Sequence, residues 1–419
     1  MSGRAGYIHY GWVVLAIGTL VVFGSLGLAR FGYSMVLPAM QTGLGMDNTE
    51  AGALATANLV GYLALSVIGG ALASRFGPRV VIALGLGVAG VAMALTGFAH
   101  SFIAAAAWRA VTGVGSGASN VPVMGLLAAW FAPRRRGLAA GIGVAGSSLA
   151  LILLGPVTPR ILAGYGEMGW RVFWFGLGGV TVLLAGLGFL VLRNAPREVG
   201  LRPVGSGPMD SSPPAPSGRL EWGTVYRSGA VWHLGLVYVA FGFSYIIYVT
   251  FFVKCLIAEG GYSAQAAGGL FMVMGWCSLL CGLIWGTVSD VIGRKWALVM
   301  VYLVHAVAFG LFGLWPVPTG FTLSAVLFGL SAWSIPAIMA AACGDMVGPR
   351  LTPTALGFVT LFFGIGQALG PTVAGAMGDA IGSLLPSMIL ASGVALLGAV
   401  GAALLRPIVG EDGGGHAHK

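Results

Sequence analysis

Apolar runs of membrane-spanning length follow one another along this 419-residue chain, with little charge inside any of them. A helix needs about 20 mostly apolar residues to cross the hydrocarbon layer. Twelve stretches meet that length, near residues 11–38, 50–73, 80–98, 102–131, 138–161, 170–192, 231–256, 264–288, 297–315, 319–344, 354–377 and 384–405. Backbone N–H and C=O groups in lipid must pair inside the protein, so such stretches are expected as helices. Only 8% of residues are charged and 57% are hydrophobic. A soluble domain carries about 25% charged residues, so this chain cannot cover a water-facing surface. Its 71 glycines suit helices that pack closely in a membrane. The first run is too long for a signal peptide and is expected to be retained.

Lys and Arg set the orientation. The loops on one side hold Arg75, Arg79, Arg134, Arg135, Arg136, Arg193, Arg197, Arg202, Arg219, Arg227, Arg294, Lys295 and Arg350. The other side receives mainly Asp47, Glu50, Glu167, Glu259 and Asp379. This bias predicts a multi-pass protein of a bacterial cytoplasmic (inner) membrane with both termini in the cytosol. It also accounts for the net charge of +9 without nucleic acid, because the basic residues are divided among short loops and have no aromatic platform between them. The four cysteines, Cys255, Cys277, Cys281 and Cys343, form no CxxC pair. They read as buried thiols, with no metal site and no cofactor expected.

One turn signature occurs twice. Gly70-Ala-Leu-Ala-Ser74-Arg75-Phe-Gly77-Pro-Arg79 ends one apolar run, and Gly286-Thr-Val-Ser-Asp290-Val-Ile-Gly293-Arg294-Lys295 ends another. At the same offset Pro133-Arg134 matches Pro349-Arg350, and Ala139 and Gly141 match Ala355 and Gly357. The duplication predicts two parallel halves. The polar stretch between them contains a Ser/Pro/Gly-rich piece, residues 206–218, that cannot bury a core. The expected organisation is an N-terminal six-helix bundle over 1–193, a cytosolic linker over 194–228, a second six-helix bundle over 229–408, and a disordered tail over 409–419.

These residues resemble the major facilitator superfamily over essentially the whole chain. The second signature keeps the glycines, Asp290, Arg294 and Lys295 of the loop motif G-x-x-x-D-R-x-G-R-R. The first keeps Arg75 and Arg79 but has Ser74 for the acid. Arg109-Ala-Val-Thr-Gly113-Val-Gly115 is similar to the fourth-helix R-x-x-x-G-x-G motif, and Gly155-Pro156 to part of the fifth-helix Gly-Pro motif. The resemblance implies twelve transmembrane helices in two six-helix bundles around a central cavity that opens alternately to each side. Tyr10-Gly-Trp12, Phe31-Gly-Tyr33, Leu37-Pro38 and the stretch Pro196–Pro203 are similar to the bacterial monocarboxylate and oxalate/formate porter branch. That branch's cations in the eighth and eleventh spans are missing here, since 264–288 and 354–377 hold no Lys or Arg.

Charged groups at bilayer depth are costly and usually functional. Arg30 and Arg109 each lie about eight residues from the outer end of a run, at a depth of about 12 Å. The resemblance implies that both spans line the cavity, and two cations at one depth there favour an organic anion such as a monocarboxylate. Bracing of helix packing is the alternative for Arg109, and snorkelling to headgroups for Arg30. Asn58, Tyr62, Asn120, Tyr245, Tyr248, Trp333 and Gln367 are the uncharged candidates for the same substrate site, with Asn120, Tyr245 and Trp333 ranked first. The gating candidates are Ser74, Arg75, Arg79, Asp290, Arg294, Lys295, Asp345 and Arg350. Asp290 is expected to pair with Arg294 or Arg350, and Asp345 to lie near Lys295.

The expected activity is secondary active transport of a small organic solute, functional as a monomer, with the solute, protons and membrane lipid as partners. Proton coupling would run through a solute carboxylate, His233 or His305. Efflux of drugs or other hydrophobic compounds and a non-transporting membrane sensor are the alternatives. Nothing resembling a catalytic constellation, a Walker loop or a dinucleotide loop is present in the sequence, so no enzymatic activity is expected.

Overall fold

The structure, a computed structural model, describes residues 9–206 and 222–405. The tail and residues 207–221 of the expected linker lie outside the described residues. Helices α1 (Tyr10–Val22) and α2 (Gly32–Leu44) are joined without a break by a π-helical segment, Phe23–Phe31. Then come α3 (Asn48–Phe76), α4 (Pro78–Gly97), α5 (Phe102–Trp130), α6 (Arg136–Tyr165) and α7 (Gly169–Val191). The short α8 (Trp222–Arg227) precedes α9 (Gly229–Ala258), α10 (Ala264–Ser278), α11 (Cys281–Ile292), α12 (Arg294–Leu314), α13 (Pro318–Gly329), α14 (Ser334–Ile381) and α15 (Leu385–Ala403).

Among the described residues eight helical stretches are long and apolar enough to cross a membrane alone, and two bent pairs bring the number to ten. One bent pair is α10 with α11, at 41°. The first expected run, 11–38, proves longer, since helical structure continues from Tyr10 to Leu44.

The duplicated signature forms the same turn in both copies. Gly77 has φ 86 and ψ 137, and Gly293 has φ 85 and ψ 158. A side chain strains this conformation, and glycine does not. Each glycine ends one helix, and the next begins at Pro78 or Arg294. Gly348, with φ 75, breaks α14 in the same way just before Pro349.

By contact the chain forms two units. The first comprises the described residues of Met1–Gly32, Gly61–Ala150 and Trp170–Ser217. Its core packs Val14, Leu15 and Val22 against Leu86, Leu127 and Trp130. Residues 194–206, the start of the expected linker, are folded onto this unit. Val204 N–H donates to the Trp130 carbonyl at 2.9 Å, and Ala132 N–H donates to the Val204 carbonyl at 3.0 Å. Asn194 Oδ1 accepts from Arg79 N–H at 2.9 Å.

The second unit comprises the described residues of Tyr33–Val60, Leu151–Gly169 and Gly218–Lys419. Its core is aromatic. Tyr248 is fully buried and lies within 4.8–5.4 Å, centroid to centroid, of the rings of Phe252, Phe309, Phe312 and Phe328. Close crossings run through glycine. A Cβ on Gly268 would stand 2.2 Å from the Gly155 carbonyl oxygen, so α6 and α10 touch backbone to backbone there.

Candidate functional site

In the first unit the structure brings together three of the expected substrate residues. Arg30 lies in the last turn of the π-helical segment. Its guanidinium carbon sits 4.7 Å from the centroid of the Tyr62 ring on α3. The Tyr62 hydroxyl accepts a hydrogen bond from Asn120 Nδ2 on α5 at 2.9 Å. All three side chains are partly buried. A π-bulge widens the helix by one residue per turn and shifts the register of whatever follows. Here it sets where Arg30 emerges, and an amide on a third helix orients the ring beneath the cation. A cation over an aromatic face is held by the ring quadrupole.

Arg109 is used differently. It is 1% exposed, Nη1 donates to the Ala29 carbonyl at 2.6 Å, and its guanidinium stands 5.1 Å from the Trp174 ring centroid. This hydrogen bond is of the kind that the bracing reading expects. Arg109 ties α5 to the carbonyl of the residue immediately before Arg30.

In the second unit Gln367 Nε2 donates to the Tyr245 hydroxyl, and both residues are buried. Tyr245 belongs to a ladder of near-parallel rings with Phe241, 4.7 Å away at 15°, and Phe363, 5.9 Å away at 10°. Tyr248 lies in the aromatic core, where its hydroxyl pairs with Ser324 Oγ at 2.7 Å. Asn58 is buried in the second unit. Trp333 holds the N-cap position of α14.

The expected gating residues divide unevenly between the units. Arg294 Nη1 meets Asp290 Oδ1 at 2.5 Å, and Arg294 Nε meets Asp345 Oδ2 at 3.2 Å. The pairing of Asp290 with Arg294 is as expected. Asp345 reaches Arg294 rather than Lys295, whose amino group lies 5.4 Å from the Trp296 ring centroid. The first copy lacks the acid, and its residues make other contacts. Ser74 Oγ donates to the Gly70 carbonyl at 3.0 Å, Arg75 lies over Phe76, and Arg79 Nε donates to the Phe189 carbonyl at 2.6 Å. The Arg350 side chain is outside the described residues.

Both histidines considered for coupling are packed. His305 is fully buried, with ring centroids 5.4–5.7 Å from those of Phe241, Phe309 and Phe328. His233 Nε2 lies 3.0 Å from the Gly401 carbonyl oxygen.

Lys254 and Asp379 were not among the expected site residues. Lys254 donates to Gln41 Oε1 and Asn48 Oδ1, and Asp379 accepts from the start of α3. The signal for Lys254 was available, because it is a cation inside the apolar run 231–256. Asp379 carried none, since an acid at a helix end looks like any loop charge.

A family model described as "Uncharacterised MFS-type transporter YbfB" matches residues 22–403. The hexuronate transporter of Bacillus subtilis is 22% identical over 93% of this chain and 94% of its own length. The probable sulfoacetate transporter SauU of Cupriavidus necator is 27% identical over 96% of this chain and 95% of its own. Among solved structures, a bacterial homolog of the human lysosomal transporter Spinster, in an inward-facing and unoccupied conformation, superposes with a TM-score of 0.75. It is 19% identical and covers 96% of this chain and 98% of that one.

Proposed function

Because the chain belongs to the major facilitator superfamily and is a multi-pass membrane transporter, we propose that it carries a small organic anion by alternating access. The observation that carries this reading is the cluster in which Asn120 holds the Tyr62 hydroxyl and the Tyr62 ring holds the Arg30 guanidinium. A cation at bilayer depth is expensive unless it is used. Arg30 supplies the charge for a carboxylate or sulfonate, while Tyr62 and Asn120 fix its position. The named substrates of the two relatives, a hexuronate and a sulfoacetate, are organic anions and support the reading.

The chain can be counted as twelve spans in two halves, 1–193 and 229–408, joined by 194–228. In that count α1 and α2 are one span, α10 and α11 are one, α13 and the part of α14 before Gly348 are one, and the part of α14 after it is another. The basic loops argue for cytosolic termini in a bacterial inner membrane. A solute carboxylate can itself carry a coupling proton, so transport is to be tested with a pH gradient.

The test is uptake by proteoliposomes of radiolabelled glucuronate, sulfoacetate and lactate, with and without a pH gradient, for wild type and Arg30→Ala. Expected is saturable uptake of at least one anion that Arg30→Ala abolishes and Arg30→Lys partly restores. Wild-type uptake and affinity in Arg30→Ala would overturn the assignment.

A further inference from the structure

The start of α3 and the end of α14 meet in the second unit. Asp379 Oδ1 accepts from Asn48 N–H at 2.9 Å, and Oδ2 accepts from Thr49 N–H at 2.7 Å and from the Thr49 hydroxyl at 2.5 Å. These are among the first N–H groups of α3, which have no partner within the helix. The helix also has a capping box of its own, in which Glu50 N–H donates to Asp47 Oδ1 at 2.7 Å and Asp47 N–H to Glu50 Oε2 at 3.3 Å. Asp379 takes the donors that the box leaves over, from 330 residues away in the chain. A carboxylate at a helix N-terminus also meets the positive end of the helix dipole.

A second leg comes from α9. The Lys254 ammonium donates to Gln41 Oε1 and Asn48 Oδ1. Asn48 is therefore gripped twice, by its backbone N–H from α14 and by its side chain from α9. Beneath these contacts the two helices cross with little side chain between them. A Cβ on Gly375 would lie 2.0 Å from the Asn48 carbonyl oxygen, and one on Gly52 2.1 Å from that of Pro371. Thr56 Oγ1 donates to the Ala368 carbonyl at 2.8 Å and lies 2.9 Å from Thr372 Oγ1.

This seam differs in kind from the aromatic core of the same unit. Parting it would expose glycine, threonine and charged groups, all of which water can satisfy at small net cost. Parting the core would expose phenyl rings, which cannot be so compensated.

We propose that Asp379 and Lys254 form a two-legged polar latch that holds the 41–56 stretch against α14 and α9, and that its release opens the solute path at this end of the protein. The proposal rests on the alternating-access reading, in whose orientation the seam faces the outside.

The experiment uses full-length protein in proteoliposomes, with the four native cysteines replaced and Thr56→Cys as reporter. A membrane-impermeant maleimide added outside is the probe. Asp379→Asn and Lys254→Ala are each expected to raise the labelling rate at least threefold. Asp379→Glu should stay near the parent rate. In a separate chain without the reporter, oxidation of the pair Thr49→Cys/Asp379→Cys should stop transport, and dithiothreitol should restore it. Parent labelling rates in both Asp379→Asn and Lys254→Ala would overturn the latch. Where a charge variant fails to fold, Thr49→Val removes one donor alone and should raise labelling by a smaller factor; an unchanged rate counts against the latch. Labelling reads opening without reading solute. Faster labelling in protein that moves no anion would sink the transport reading and leave the latch standing.

Discussion

Arg109 Nη1 donates to the Ala29 carbonyl at 2.6 Å, linking residues 80 apart in sequence and holding the turn from which Arg30 emerges. Removing the guanidinium takes this donor from the buried Ala29 carbonyl, and a hydrogen bond to a charged group contributes about 1.5–3 kcal/mol. Arg109→Ala should lower the melting temperature of purified protein by several degrees, whereas Arg30→Ala should leave it nearly unchanged. An unaltered melt for Arg109→Ala would contradict the bracing role.

Tyr62 supports Arg30 by its ring and is itself held by its hydroxyl. The two supports can be separated. Tyr62→Phe keeps the ring and loses the bond to Asn120, while Tyr62→Ala loses both. A cation–π contact in a partly desolvated place contributes about 0.5–2 kcal/mol, equivalent to roughly 2- to 30-fold in affinity. Isothermal titration with the transported anion should rank binding as wild type, then Tyr62→Phe, then Tyr62→Ala. Equal weakening in the two variants would show that the ring does nothing for Arg30.

Arg294 lies between two acids that are themselves largely exposed, Asp290 at 68% and Asp345 at 45%. Each pair is therefore worth only about 0–1 kcal/mol and is weakened by salt. Asp290→Asn should shift the inward and outward populations, read by accessibility labelling from the cytosolic side, by at most about fivefold. The shift should shrink in 0.5 M salt. Unchanged populations at low salt would remove these residues from gating.

His305 is fully buried and enclosed by phenyl rings. His305→Phe should fold, transport, and keep the wild-type pH profile of uptake. A lost or displaced profile would make His305 part of proton coupling after all.

Gly115 of the R-x-x-x-G-x-G stretch lies where α5 meets α4, and a Cβ there would stand 2.4 Å from the Gly85 carbonyl oxygen. Gly115→Ala should force the helices apart and cost roughly 1–3 kcal/mol. The measurement is the melting temperature. At Gly141, where a Cβ meets nothing within 4 Å, the same substitution should be nearly silent.

Much of the fold was legible along the chain because the constraints that set it are local. A long run without charge must be helical in lipid, and Gly77 and Gly293 mark turns because their φ near +85° excludes other residues. The pairing of Asp290 with Arg294 was legible for the same reason, being one helical turn apart. Arg30 stood out as a charge within an apolar run, whereas the π-helical turn that aims it did not, because its glycines and alanine are compatible with an ordinary helix.

By itself, then, the sequence determined the membrane class, the helices, the repeated turn and the superfamily, all of which follow from composition and short-range spacing. The tertiary structure alone decided that Arg109 donates to the Ala29 carbonyl while Arg30 lies over Tyr62, that Tyr248 belongs to the core, and that Asp379 caps a helix beginning at Asn48. Those assignments depend on which helices cross and at what rotation. Contacts between residues far apart in the chain set both, and no local pattern encodes them.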